Sequence, residues 1–165
     1  MRLFFCFDVN FGIVKDKRGA NKMSQWSKLQ KSIYLLKATG INFQIHCSIY
    51  RMKSKRGSTD LPRYWITLEK EIIWDYPKDF IDKDSSHNYP YEPDISEISN
   101  LIREYIDTPK DILLNKEFEN DKWGLIEILI AIDRRTGKRQ FKGLLEKFKN
   151  KNAIKILNIR FVKQI

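Results

Sequence analysis

INFQIHCSIYRM, residues 41–52, alternates apolar and polar side chains with a period of two. Phe43, Ile45, Cys47 and Ile49 fall on one side, and Gln44, His46, Ser48 and Tyr50 on the other. That is the pattern of a strand with one buried face. Just upstream the period is helical. Trp26, Leu29, Ile33 and Leu36 make one apolar stripe between a start at Ser24 and a stop at Gly40, and Lys28, Lys31 and Lys37 lie off it. A helix that hands over to a strand at residue 41 sets the α+β class.

Reading outward, KSKRGSTD (53–60) is a basic loop, and Pro62 opens a second strand over Arg63–Leu68. Glu69–Lys70–Glu71 is a turn, and Ile72–Trp74 is a third strand. Short links between consecutive strands predict an antiparallel meander. Residues 76–94 are polar, acidic and proline-bearing and form a surface connection.

Helical spacing then returns. Asp94 with Glu97 reads as a capping box for a helix to about Ile106, and Thr108–Pro109 with Asp111 starts a short one ending near Phe118. Trp123–Ile132 is apolar on nearly every side and belongs at the centre of a bundle. A basic turn, Arg134–Arg139, leads into helices striped by Phe141, Leu144, Leu145 and Phe148, and by Ile154, Leu157 and Phe161. The expected architecture is an N-terminal helix and three-stranded antiparallel meander packed on a C-terminal bundle of four to five helices. Residues 23–165 form one domain in this reading: helix plus sheet over 23–75, connection over 76–94, helices over 95–165. Residues 1–22 precede a second candidate start at Met23 and are a non-core extension.

Composition excludes several classes. The chain has 165 residues, 42% apolar and 32% charged, which is globular rather than disordered. No apolar run approaches the roughly 18 residues of a membrane span. Asp8 and Asn10 interrupt the apolar start and no cleavage-type site follows, so the segment is not read as a secretory leader. Cys6 and Cys47 then read as reduced thiols of a cytoplasmic protein. His46 and His87, with no close cysteine pair, give no metal site and no cofactor is implied.

Net charge is +10, but it is unevenly placed: +9 over residues 1–60, −9 over 61–133 and +10 over 134–165. Arg134, Arg135, Lys138 and Arg139 crowd one turn, and Lys142, Lys147, Lys149 and Lys151 extend it. Arg51, Lys53, Lys55 and Arg56 crowd the first loop, beside Tyr50. Guanidinium groups with aromatic neighbours suit phosphate backbones and exposed bases. The same arginines also suit a structural task, pairing with acids and closing helix carbonyls.

Four strings occur in order: W-S-K-L-x-K from Trp26, R-Y-W-I-T-L-E-x-E from Arg63, E-Y-I-D-x-P from Glu104 and D-R-R-x-G-K-R from Asp133. Together they resemble a family of small uncharacterised bacterial proteins about as long as residues 23–165. The resemblance implies a shared fold and carries no activity. This chain departs from the pattern in a short connection after Trp74 and in ending Val162–Lys163–Gln164–Ile165 where an acidic tail is expected.

The expectation is a non-enzymatic, bacterial, cytoplasmic protein that binds nucleic acid or another polyanion. Its candidate contacts are Arg134, Arg135, Lys138, Arg139, Lys142, Arg51, Lys53, Lys55 and Arg56. The alternatives are an immunity-like, antitoxin-like or accessory module docking on an acidic protein partner, and a metal-dependent hydrolase built on Glu69, Glu71, Asp75, Asp79, Asp82 and Asp84.

Overall fold

The computed structural model describes residues 26–54, 57–77 and 97–162. The N-terminal extension, Lys55, Arg56, most of the 76–94 connection and the capping residue Asp94 lie outside these. Within them the chain is α+β, as its alternating periods predict. Helix α1 (Trp26–Leu36) leads into strands β1 (Phe43–Ser54), β2 (Gly57–Leu68) and β3 (Glu71–Tyr76). Helices α2 (Ile98–Asp107), α3 (Leu125–Ile132), α4 (Phe141–Lys147) and α5 (Lys151–Phe161) follow.

The sheet is an antiparallel meander in the order β1-β2-β3. Phe43, Ile45, Tyr64, Ile66, Leu68 and Trp74 face inward and are buried. They join Leu29 and Ile33 of α1, Leu101, Ile102 and Tyr105 of α2, and Ile156 and Leu157 of α5 in one apolar cluster. α3 runs through the middle of it, and all of its residues except Glu127 are buried. This is what its nearly unbroken apolar sequence requires. Burying a Leu or Ile side chain is worth about 1.5–3 kcal/mol, so this helix alone is a large share of the drive to fold.

Four local expectations need correcting. The basic loop at 53–60 is mostly ladder: β1 and β2 stay paired out to Ser54–Gly57, and Pro62 sits inside the ladder opposite Ile49. The helix expected after Thr108 is only a turn, with Asn115 and Lys116 both donating to Ile112 O. Thr108 does not start it; its hydroxyl donates to Glu104 O at 2.6 Å and so closes α2. Glu97 directly precedes α2, and the capping box expected of Asp94 with Glu97 reaches outside the described residues. α3 begins at Leu125 rather than Trp123, because Gly124 takes a left-handed φ of 65° that a side chain would resist. That turn lets the Asp121 carboxylate accept from Leu125 N and Ile126 N at 2.9 and 3.0 Å.

Trp74 and Trp123 are core residues, joined by a 2.9 Å bond from Trp74 Nε1 to Trp123 O. Trp26 packs edge-on against Tyr64. Trp65 is only half-buried. It stacks on His46 at 4.9 Å and carries the Arg63 guanidinium over its ring, while Arg63 makes a two-pronged pair with Asp75.

Candidate functional site: a basic turn on a buried polar network

Asp133 ends the apolar run of α3 and is fully buried. An isolated carboxylate there would be costly unless bonded and paired. It is both. Tyr105 Oη donates to Oδ2 at 2.5 Å, Arg135 Nε donates to the same oxygen at 2.9 Å, and Arg135 N donates to Oδ1 at 2.7 Å. Arg135 Nη2 lies 2.8 Å from Oδ2, and Nη1 donates to Thr108 O at 2.6 Å. The guanidinium also lies over the Tyr105 ring, 5.4 Å from its centre.

A second arginine closes the other side. Arg160, near the end of α5, donates from Nη1 to Ala131 O at 2.5 Å and to Thr136 Oγ1 at 3.0 Å, and from Nη2 to Thr136 O at 3.0 Å. Thr136 Oγ1 donates in turn toward Ile130 O and Asp133 O. Open carbonyls at the end of α3 are thus answered by side chains, as a buried helix terminus demands. Among the described residues the buried polar side chains are Arg63, Ser99, Thr108, Asp133, Thr136 and Arg160. Four of these six belong to this one network.

The electrostatics follow from burial. Burial first, then the charge and hydrogen bond of Asp133, push the Tyr105 hydroxyl well above its ordinary value, so it stays a donor. Burial alone would lower the Arg135 guanidinium, but Asp133 and Tyr105 outweigh it and the net shift is upward. Arg160 is lowered by burial, with Asp133 and Tyr105 opposing.

The turn above the network is held on a third side. Arg134 N donates to Leu36 O at 2.7 Å and Ala38 N donates to Ile132 O at 2.8 Å, so Lys37 and Asp133 form a small antiparallel bridge. The C-terminal ends of α1 and α3 are therefore fastened together by backbone.

This arrangement divides the predicted basic cluster. Arg135 is a structural member of the network. Arg134, Lys138, Arg139 and Lys142 are exposed, and among the described residues none of them makes an ion pair. Of the residues that extend the cluster, Lys147 donates to Leu114 O at 2.6 Å, while Lys149 and Lys151 are exposed. Arg51 and Lys53 belong to the far half of β1, and Lys55 and Arg56 lie outside the described residues. β1 starts five residues after Ala38 and spans twelve, or roughly 35 Å at ~3.3 Å per residue. The hairpin end and the basic turn are thus opposite ends of the sheet rather than one site.

The acids of the hydrolase alternative do not meet either. Asp75 pairs with Arg63, Glu71 with Lys155, and Glu69 Oε1 accepts from Asn42 N. Asp79, Asp82 and Asp84 lie outside the described residues. Among the described residues no three His, Cys, Asp or Glu side chains converge on a common point. Cys47 is a half-buried thiol. No helix among them is long and apolar enough to cross a membrane.

Tyr105, Thr136 and Arg160 were not singled out as site residues, and Thr108 was read only as a helix start. The available signal was a lone acid closing an apolar run, and an arginine placed three residues beyond Leu157 on the apolar stripe of α5.

Fold and site together define a small α+β protein whose helical half is keyed by a buried Asp–Tyr–Arg–Thr–Arg network beneath an exposed basic turn. The chain belongs to the SF0329 protein family, an uncharacterised family whose model matches residues 25–96 and 85–161. No curated protein and no solved structure matches it. The four strings now have a physical reading. E-Y-I-D-x-P and D-R-R-x-G-K-R meet where Tyr105 bonds Asp133 and Thr108 O accepts from Arg135. W-S-K-L-x-K and R-Y-W-I-T-L-E-x-E meet where Trp26 packs on Tyr64.

Proposed function

We propose that this is a bacterial, cytoplasmic, non-enzymatic binding protein for nucleic acid or a similar polyanion. Its contacts are Arg134, Lys138, Arg139 and Lys142. One observation carries the reading: the turn is fixed from below by Asp133, Thr136 and Arg160, yet these four cations face solvent without acidic partners among the described residues. Pre-ordered, unneutralised cations contribute to polyanion affinity through counterion release and pay little ordering cost on binding. Sequence around them agrees, since residues 134–145 contain no acid.

The test is oligonucleotide binding by the full chain across a salt series, with Arg134, Lys138, Arg139 and Lys142 changed together to Glu in a second sample. Arg135 is left intact because its loss would unseat the turn. Four phosphate contacts predict a log–log salt slope of about −3 to −4 for the unchanged protein, and binding that vanishes in the variant. Salt-insensitive binding, or binding indifferent to the four substitutions, rules the reading out.

A further inference from the structure

The outward face of α1 is as bare of acid as the basic turn. Ser27, Lys28, Lys31, Tyr34 and Leu35 are its exposed positions, and Lys37 follows just past its end. Residues 26–40 contain three lysines and no Asp or Glu. The bridge between Lys37 and Asp133, with the Arg134 N to Leu36 O bond, joins this helix end directly to the turn. Two segments far apart in sequence are therefore neighbours at Lys37 and Arg134, with the exposed Lys28 and Lys31 further back along α1 and the exposed Lys138, Arg139 and Lys142 further on from the turn.

That surface also carries a feature simple polyanions do not need. Tyr34 and Leu35, 38% and 61% exposed, sit among the lysines. Gln30, one turn before Tyr34 on α1, donates from Nε2 to Ile45 O at 2.6 Å and ties the helix to β1 beside the ring. Lys37 Nζ stands 5.9 Å from the ring centre. A partly exposed aromatic ring flanked by cations offers a stacking surface beside phosphate contacts. A duplex presents phosphates but keeps its base faces inside the stack. A single strand presents both.

We infer that α1 and the basic turn form one continuous track for a single-stranded nucleic acid, with Lys28, Lys31 and Lys37 on its phosphates and Tyr34 against a base. This rests on the polyanion reading above and extends it to a substrate class. From Lys28 to Lys37 the helical rise gives roughly 14 Å, about four stacked nucleotides at ~3.4 Å each, and the turn lengthens the track beyond that.

The experiment uses the full chain and three probes: a fluorescein-labelled 12-nucleotide oligo-dT, a 12-base-pair duplex and a heparin fragment. Lys28→Ala/Lys31→Ala/Lys37→Ala is expected to flatten the oligo-dT salt slope by about 2, at ~0.7 per lost contact. Tyr34→Leu is expected to weaken oligo-dT on the order of 10-fold and leave heparin unchanged. Tyr34→Phe, which keeps the ring, should bind as the parent does. Thermal melts check that each variant folds, and the charge variants alter only side chains at the surface. The inference is overturned if the Glu variant of the turn loses binding while the lysine variant keeps its full slope. It is also overturned if the duplex binds as tightly as oligo-dT, or if Tyr34→Leu affects heparin equally. If no probe binds the unchanged protein, the polyanion reading falls and takes this one with it.

Discussion

Replacing Asp133 tests whether the polar network holds the helical half together. The Asp133→Ala change removes the acceptor of Tyr105 Oη, Arg135 Nε and Arg135 N in one step. It leaves the hydroxyl of a tyrosine that is 1% exposed without a partner, and an arginine side chain, 16% exposed, without its counter-charge. Removing one partner of a buried ion pair costs ~3–5 kcal/mol, and an orphaned buried hydroxyl costs ~1–3 kcal/mol. These overlap, because Arg135 keeps its bond to Thr108 O and some access to water. A loss of about 3–4 kcal/mol is expected for Ala. Asp133→Asn keeps the shape and one acceptor, so roughly 2 kcal/mol is expected. Against a domain stability of ~5–15 kcal/mol, the alanine variant should melt roughly 10 °C lower.

The assay is urea unfolding followed by far-UV circular dichroism and by the fluorescence of the buried Trp74 and Trp123. Arg134→Ala, one residue away but exposed, is the control and should stay within about 0.5 kcal/mol of the parent. A double-mutant cycle of Asp133→Asn with Tyr105→Phe should return a coupling of about 1–3 kcal/mol. If Asp133→Ala costs less than about 1 kcal/mol, the claim that this network fixes the basic turn is wrong. The rigid presentation invoked for polyanion binding would then go with it.

Further measurements follow from the same geometry. Because burial and Asp133 raise Tyr105, the folded protein keeps its phenolic proton above pH 10.0, where an unfolded tyrosine releases it; stability is then full below about pH 10 and falls as pH rises, by up to ~1.4 kcal/mol per unit. The stability difference between the parent and Tyr105→Phe should therefore be constant up to about pH 9 and shrink above pH 10 in urea titrations; a constant difference would refute it. Arg103 Nε and Nη2 are buried and find no hydrogen-bond partner among the described residues, so Arg103→Met should leave the unfolding free energy from urea titration unchanged or raise it by about 1 kcal/mol at most. Asn150 caps α5 by accepting from Asn152 N and Ala153 N while its amide donates to Gly124 O; Asn150→Ala should cost about 1–2 kcal/mol by the same assay.

Where a residue's role depends on its neighbours in sequence, the reading succeeded. The period switch at Ile41 marked the strand, and the nearly unbroken apolar run marked α3 as the central helix, because burial and periodicity are properties of a segment. It failed where a polar side chain had two local uses. Thr108 before Pro109 carries the signature of a helix start, yet the same hydroxyl can close the helix behind it, and the bond to Glu104 O shows that it does. The residues at 53–60 read as loop because both faces of the hairpin's outer half are polar; pairing of backbone with backbone, which leaves no trace in side-chain pattern, extends the ladder to Ser54 and Gly57.

The basic turn shows the limit most plainly. Arg134 and Arg135 are adjacent and chemically identical, and no feature of the string D-R-R distinguishes them. What separates them is a tyrosine twenty-eight residues upstream of Asp133 and an arginine twenty-four residues downstream of Thr136. Tyr105 fixes where the carboxylate points, the carboxylate claims the second arginine, and Arg160 holds the threonine that carries the chain back toward solvent. The first arginine is left outside beside Lys37, at the junction with α1. A substitution at Arg135 should therefore be read in a melting curve and one at Arg134 in a binding curve. Exchanging those outcomes would mean that the network, and not merely the ligand, has been misassigned.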